Sequence, residues 1–153
     1  MQQGDEFRDI TRRLYAVISQ PAGDRDWESV RSLYHPRATL VRTGVGGDGS
    51  PFVLAMSFDE YIRNVTALLE GIEFSEVEVS QDVTVFGNVA RAASIYEFEY
   101  RRADGVRRGR GVNFFNFVNE GDGWKVMNIV WDNEREGVSL HDAGLERQGP
   151  ATR

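Results

Sequence analysis

The chain has no cysteine and only two histidines, His35 and His141, in 153 residues. Without cysteine there can be no disulfide, thiolate nucleophile or thiolate-held metal. Two isolated histidines argue against a histidine metal cluster. No apolar run approaches the ~20 residues that a membrane helix needs. The segment Met1–Asp9 carries Asp5 and Glu6 and no apolar stretch, which argues against a secretory signal. Basic residues are outnumbered, 18 Lys and Arg against 24 Asp and Glu, for a net charge of -6. That balance argues against general nucleic-acid binding and points to a soluble, cytoplasmic protein. With 41% hydrophobic residues, the chain is long enough for one full core and too short for two comfortable domains.

The periodicity predicts helices first. From Asp5 to Ser19, Phe7, Ile10, Leu14, Val17 and Ile18 form one stripe at helical spacing, stopped by Pro21 and Gly23. A second helix begins after Asp24 or Asp26, presents Trp27, Val30, Leu33 and Tyr34, and ends near His35, because Pro36 excludes the α region from the residue before it. The third opens on a capping box, Ser57-Phe58-Asp59-Glu60, with Phe58, Tyr61, Ile62, Val65, Leu68 and Leu69 on its stripe and Gly71 as its stop. Between the last two, Ala38–Thr43 reads as a short strand. The glycine-rich segment Gly44–Pro51 after it lacks the Gly-Lys-Ser/Thr ending of a phosphate loop and reads as a mobile lid or connector.

From Ser75 to Asn133 the pattern becomes a meander of long antiparallel strands, turning at Gly87-Asn88, Asp104-Gly105 and Gly121-Asp122-Gly123. The fold class is therefore α+β: a cone-shaped, curved antiparallel sheet wrapped around three N-terminal helices. Residues 1–137 form the single domain, and 138–153, small and polar, read as a partly disordered tail.

The order of these features resembles the nuclear transport factor 2-like superfamily. The resemblance rests on Leu33-Tyr34-His35-Pro36-Arg37-Ala38-Thr39-Leu40 after the first helix, the turn Phe86-Gly87-Asn88-Val89-Ala90, and Gly123-Trp124-Lys125-Val126, and covers residues 5–135. It implies a cone with an internal ligand pocket and a homodimer built on the outer sheet face. The superfamily includes ketosteroid isomerases, SnoaL-type polyketide cyclases, dehydratases, epoxide hydrolases and many uncharacterised proteins, so reaction type stays open.

Strand parity gives a pocket independently of the resemblance. Ser94, Tyr96, Phe98 and Tyr100 share one face, and Ile95, Glu97 and Glu99 the other; the aromatic face must be concave, since buried acids opposite exposed aromatics would be costly. Matching sets are Asn113, Phe115 and Phe117 on the next strand, Met127, Ile129 and Trp131 on the last, and Leu40 and Arg42 on the first. Adding Tyr15 at the edge of the first helix gives the candidate ligand-pocket residues Tyr15, Leu40, Arg42, Tyr96, Phe98, Tyr100, Asn113, Phe115, Ile129 and Trp131. By the resemblance, Tyr15 matches an isomerase tyrosine that donates to a substrate oxyanion, and Asn113 a second donor. Arg42 stands where that family has its catalytic aspartate, and Ile129 where the hydrolases have an acid; a guanidinium cannot abstract a proton at neutral pH.

Arg42 then needs a partner: Asp132 or Glu134, or the anion of a ligand. His35, His141, Asp132 and Glu134 are further acid–base candidates, each more simply read as a surface or strand-end charge. The arginines crowding the second hairpin, from Arg101 to Arg110, read as a solvated edge rather than a nucleic-acid site. No motif calls for a cofactor or metal. The function class is a small hydrophobic-molecule binding domain, with a cofactor-independent isomerase, polyketide cyclase or dehydratase as the alternative. The partners expected are a small-molecule ligand and a second copy of the chain, through Val112, Phe114, Val118, Val130 and Trp124, with neither nucleic acid nor membrane.

Overall fold

Phe7, Ile10, Leu14 and Val17 do form one buried stripe, on the helix α1 (Asp5–Ile18). The computed structural model describes residues 4–20 and 23–146. The helix stop expected at Pro21 and the end of the expected tail, 147–153, lie outside the described residues. After α1 comes a 3-10 helix, Trp27–Leu33, where an α-helix was expected. It stops at Leu33 because the chain must be extended before Pro36, and Tyr34 already has ψ 140°. The remaining elements are β1 (Tyr34–Val45), β2 (Pro51–Met56), α2 (Phe58–Leu68), β3 (Glu73–Phe86), β4 (Val89–Arg102), β5 (Gly105–Asn119) and β6 (Trp124–Asn133). The capping box at α2 is complete: the Glu60 amide donates to Ser57 Oγ at 3.1 Å and the Ser57 amide to Glu60 Oε1 at 3.3 Å.

The six strands make one sheet in the order β2-β1-β6-β5-β4-β3. All neighbours are antiparallel except β1 and β6, which run parallel, Leu40 opposite Ile129 and Arg42 opposite Trp131. The α+β class and the curved sheet thus stand, but the sheet is mixed rather than purely antiparallel, and β1 and β2 lie in the chain between the 3-10 helix and α2. The glycine-rich segment is no lid. Gly46 and Ser50 close a tight turn (Gly46 N to Ser50 O, 2.9 Å), Asp48 accepts from the Ser50 amide at 2.9 Å, and Gly49 takes φ +83°. Pro51 then opens β2 at the sheet edge, where a missing N–H does no harm.

Two bulges decide which side chains enter the core. On β6 the pairing slips between Asn116–Asn128 and Phe117–Val126, which sets Val126 and Trp124 inward beside Phe117 and leaves Met127 outside the core. Trp124 therefore packs on Phe7, with ring centroids 5.2 Å apart, and is not part of an outer face. On β3 the slip between Glu78 and Ser80 keeps Phe74, Glu76 and Glu78 opposite the inward residues Tyr100, Phe98 and Tyr96, then brings Gln81 opposite Ser94.

The main core lies between α1, α2, the 3-10 helix and the concave face; Phe7 and Phe117 are both 1% exposed, their rings 4.9 Å apart. A second, small cluster sits on the convex face, where residues 138–146 fold back and Leu140 covers Ile95 and Val112. Glu134 ties this segment down, accepting from the Leu140 amide at 2.8 Å and from Arg110 Nε at 2.9 Å. Among the described residues, no helix is long and apolar enough to cross a membrane. Phe117→Ala should cost about 3–5 kcal/mol in urea denaturation, since both ring partners are fixed and the void cannot collapse; a loss under ~1 kcal/mol would show that this end of the core is loosely packed.

Candidate functional site

Between the packed end of the cone and the β4–β5 hairpin the concave face borders a cavity of about 490 Å³. All ten sequence-chosen residues, from Tyr15 to Trp131, contribute to its lining. Trp27, Tyr34, Tyr61, Leu68, Leu69, Ile72, Phe74 and Glu76 complete most of the remaining wall. The strand register ranks the β4–β5 side by depth: Tyr100 opposite Arg107 near the hairpin, then Phe98 opposite Gly109, Tyr96 opposite Gly111, and Ser94 opposite Asn113.

Glycines on β5 create this wall. A Cβ on Gly109 would meet the Phe98 ring, and one on Gly111 would meet the Tyr96 hydroxyl and the Asp132 carbonyl oxygen, the latter at 2.5 Å. The rings of β4 thus lie across a neighbouring strand that has no side chains there. Phe98 stacks nearly parallel to Tyr100 (4° between planes) and on Phe74. Tyr61 meets Trp131 edge-on at 6.0 Å and Trp27 at 5.6 Å. Trp131 is half-buried, a wall of the cavity more than a core residue.

The neutral polar groups of the inner wall are mostly committed. Asn113 Nδ2 donates to the Tyr15 hydroxyl at 2.9 Å. Tyr15 shares a 2.7 Å hydrogen bond with Ser94 Oγ, and Ser94 donates to Glu78. Because the serine proton goes to Glu78, the tyrosine proton goes to Ser94. Thr11 and Gln81 also donate to Glu78, each at 3.2 Å. Tyr15 therefore has no proton left for a ligand, and the oxyanion role that the resemblance implies for it does not fit this network. Burial, with the charge of Glu76 second, pushes the Tyr15 phenol well above its ordinary value, so it stays neutral. Tyr96 is likewise engaged, donating to Asn133 Oδ1 at 2.6 Å.

Glu76 is the residue that sequence reasoning missed. It borders the cavity opposite Phe98 in the strand register. Burial raises its pKa from 4.5 to about 8, with the nearby Asn113 amide pulling the other way. Near neutral pH it is mostly the protonated acid, a donor deep in an aromatic cavity. The alternation on β3 hid it, because Val77 and Val79 look like the inward set; they are 60% and 49% exposed.

Arg42 lines the cavity but pairs with neither expected acid: Asp132 pairs with Arg135 at 2.7 Å and Glu134 with Arg110 at 2.9 Å. Its guanidinium lies 5.4 Å from the Phe52 ring centroid, and that ring lies over Gly44, where a Cβ would be 2.9 Å away. The other candidates stand apart. His35 Nδ1 accepts from the Arg37 amide while Nε2 faces Glu120 at 3.2 Å, and His141 faces Glu146 at 3.9 Å. Neither lines the cavity. Among the described residues, no cluster of three or more His, Asp and Glu side chains suits a metal ion.

No protein-family model and no curated protein matches the sequence. Solved structures do match in shape. A nuclear transport factor 2-like superfamily protein from Salmonella enterica serovar Typhimurium has a TM-score of 0.65 at 14% identity, over 86% of this chain and 90% of its own. A second such protein, from Cytophaga hutchinsonii, gives 0.65 at 14%, over 88% and 100%. The chain has the nuclear transport factor 2-like fold. A candidate β subunit of an aromatic-ring-hydroxylating dioxygenase from Novosphingobium aromaticivorans has the same shape, with TM-score 0.67 at 15% identity over 86% and 88%. Identities this low carry the fold alone, so in a nuclear transport factor 2-like cone the cavity must be read from its own residues.

Glu76 gives a pH signature. Its folded pKa lies above the unfolded value, so the native state holds more protons between pH 4.5 and 8 and stability falls as pH rises through that window. Glu78 is raised too, chiefly by burial, and contributes with the same sign. Glu76→Gln should therefore remove roughly 2–4 kcal/mol of the stability lost between pH 6 and 9, measured by urea denaturation. An unchanged slope would place Glu76 in contact with water.

Proposed function

We propose that this chain is a cytoplasmic binding domain for a small, largely hydrophobic molecule held in the cone's cavity. One observation carries the reading: the cavity is walled by aromatic rings laid over glycines, and the neutral polar groups Tyr15, Tyr96 and Asn113 on its wall are committed to hydrogen bonds within the protein. A volume of about 490 Å³ falls within the ~300–1,000 Å³ range of small-molecule sites. The bound molecule is held by ring contacts and presents one acceptor to the Glu76 carboxyl. The shared fold with the candidate dioxygenase subunit is consistent with this use.

A second reading rests on Glu76 alone. An acid with a pKa of about 8 is poised for proton transfer near neutral pH, as a cofactor-independent isomerase, cyclase or dehydratase requires. Binding is favoured because the surrounding donors are committed and Arg42 occupies the strand position expected for a base. The neutral fluorophore N-phenyl-1-naphthylamine should bind with a blue-shifted emission and raise Tm. No emission change and no Tm shift at saturating probe would count against the cavity as a binding site. If Glu76→Gln keeps the probe affinity of the wild type yet abolishes turnover of a substrate found by screening, the enzymatic reading prevails.

We also propose a homodimer through the convex sheet face. Leu140 covers Val112 and Trp124 points inward, so of the expected set Phe114, Val118 and Val130 remain, with Phe114 45% exposed and Val89, opposite Val118, beside them. Light scattering should return twice 17.3 kDa for the wild type and the monomer mass for Phe114→Asp. A wild-type monomer at micromolar concentration would overturn this arrangement.

A further inference from the structure

Some arginines of the sheet are held by carboxylates and others are not. Arg101 and Arg108 pair with Glu99 at 2.9 and 2.7 Å, Arg108 at the cavity's edge, and Arg110 pairs with Glu134 and Glu146. Arg42, Arg102 and Arg107, which also border the cavity, form no ion pair with any described acid, in a chain with 24 acids to 18 bases. Two of these are fixed by aromatic rings instead: Arg42 over Phe52 at 5.4 Å and Arg102 over Tyr100 at 5.1 Å. A ring holds a guanidinium by its face and leaves the in-plane N–H donors open, whereas a carboxylate would consume them. Arg107 stands opposite Tyr100 in the register, so it and Arg102 flank the same mouth of the cavity. Arg42 lies farther in, at the level of Trp131.

We infer that the molecule this cavity takes is an amphiphilic acid, whose carboxylate, sulfonate or phosphate-type head meets Arg102 and Arg107 at the mouth while its planar apolar body lies along Tyr100 and Phe98 toward Glu76. The inference rests on the binding reading above and adds the ligand's charge and orientation. Open, positioned guanidinium groups are suited to bidentate recognition of such anions. A protonated Glu76 at the inner end avoids like-charge repulsion with the head and leaves a donor for the body's polar group.

Two fluorophores separate the parts of the claim. 8-Anilinonaphthalene-1-sulfonate and N-phenyl-1-naphthylamine share one ring body, and only the first carries an anion. The wild type should bind the sulfonate at least ~10-fold more tightly, with each probe displacing the other. The double variant Arg102→Met, Arg107→Met, which replaces two exposed residues and should stay folded by circular dichroism, should lose roughly 10- to 100-fold for the sulfonate and under ~3-fold for the neutral probe. Equal affinities in the wild type, or sulfonate binding unchanged in the double variant, would overturn the anionic head and leave the cavity reading standing. Sulfonate that binds without displacing the neutral probe would place the anion elsewhere and overturn the inference as well. If neither probe binds, the cavity reading fails and this inference falls with it.

Discussion

The structure depends on how α1 seats on the concave face of the sheet. Phe7 packs on Phe117 and Trp124, with Ile10, Leu14 and Val17 continuing the buried cluster, and this fills one end of the cone. The other end stays open because the strands reaching it carry flat rings and glycines where branched side chains would have met in the middle. Core and cavity are thus two lengths of one surface, and the boundary falls near Tyr15, whose ring is buried while its hydroxyl joins Asn113 at the cavity wall.

Burying polar groups at that boundary is costly unless each finds a partner, and the chain supplies partners in series. Asn113, Tyr15, Ser94 and Glu78 pass hydrogen bonds from the cavity to the cone's flank, where Thr11 and Gln81 complete the carboxylate's shell. Such a network fixes the positions of its members and, by the same token, withdraws them from ligand chemistry. What remains chemically open is Glu76 and Arg42 within the cavity and Arg102 and Arg107 at its mouth.

The nuclear transport factor 2-like fold leaves function undetermined, and the details separating this chain from an isomerase-type site are local. By the sequence resemblance, Arg42 stands where an isomerase has a carboxylate and Asn113 where it has a second donor, and among the described residues the acid that borders the cavity, Glu76, arrives on β3. Single-residue differences of this kind are how one architecture serves unrelated chemistries.

The sequence by itself determined the helix stripes, the capping box, the hairpin turns and the inward faces of β4 and β5, because each follows from local periodicity or turn chemistry that no distant contact overrides. The ten candidate residues were chosen largely by that parity, and all ten border the cavity. Tertiary structure alone decided the parallel pairing of β1 with β6, the edge strand β2 with its tight turn, and the two bulges. A bulge is one residue's slip relative to a partner strand, so nothing within the bulged strand announces it, yet it reverses which side chains face the core. That is why Trp124 and Met127 exchanged faces relative to simple alternation, and why Glu76 sits inside while Val77 and Val79 meet water. The same holds for Arg42: its inward direction could be read from parity, but its partner, the Phe52 ring over Gly44, could come only from the pairing of two strands.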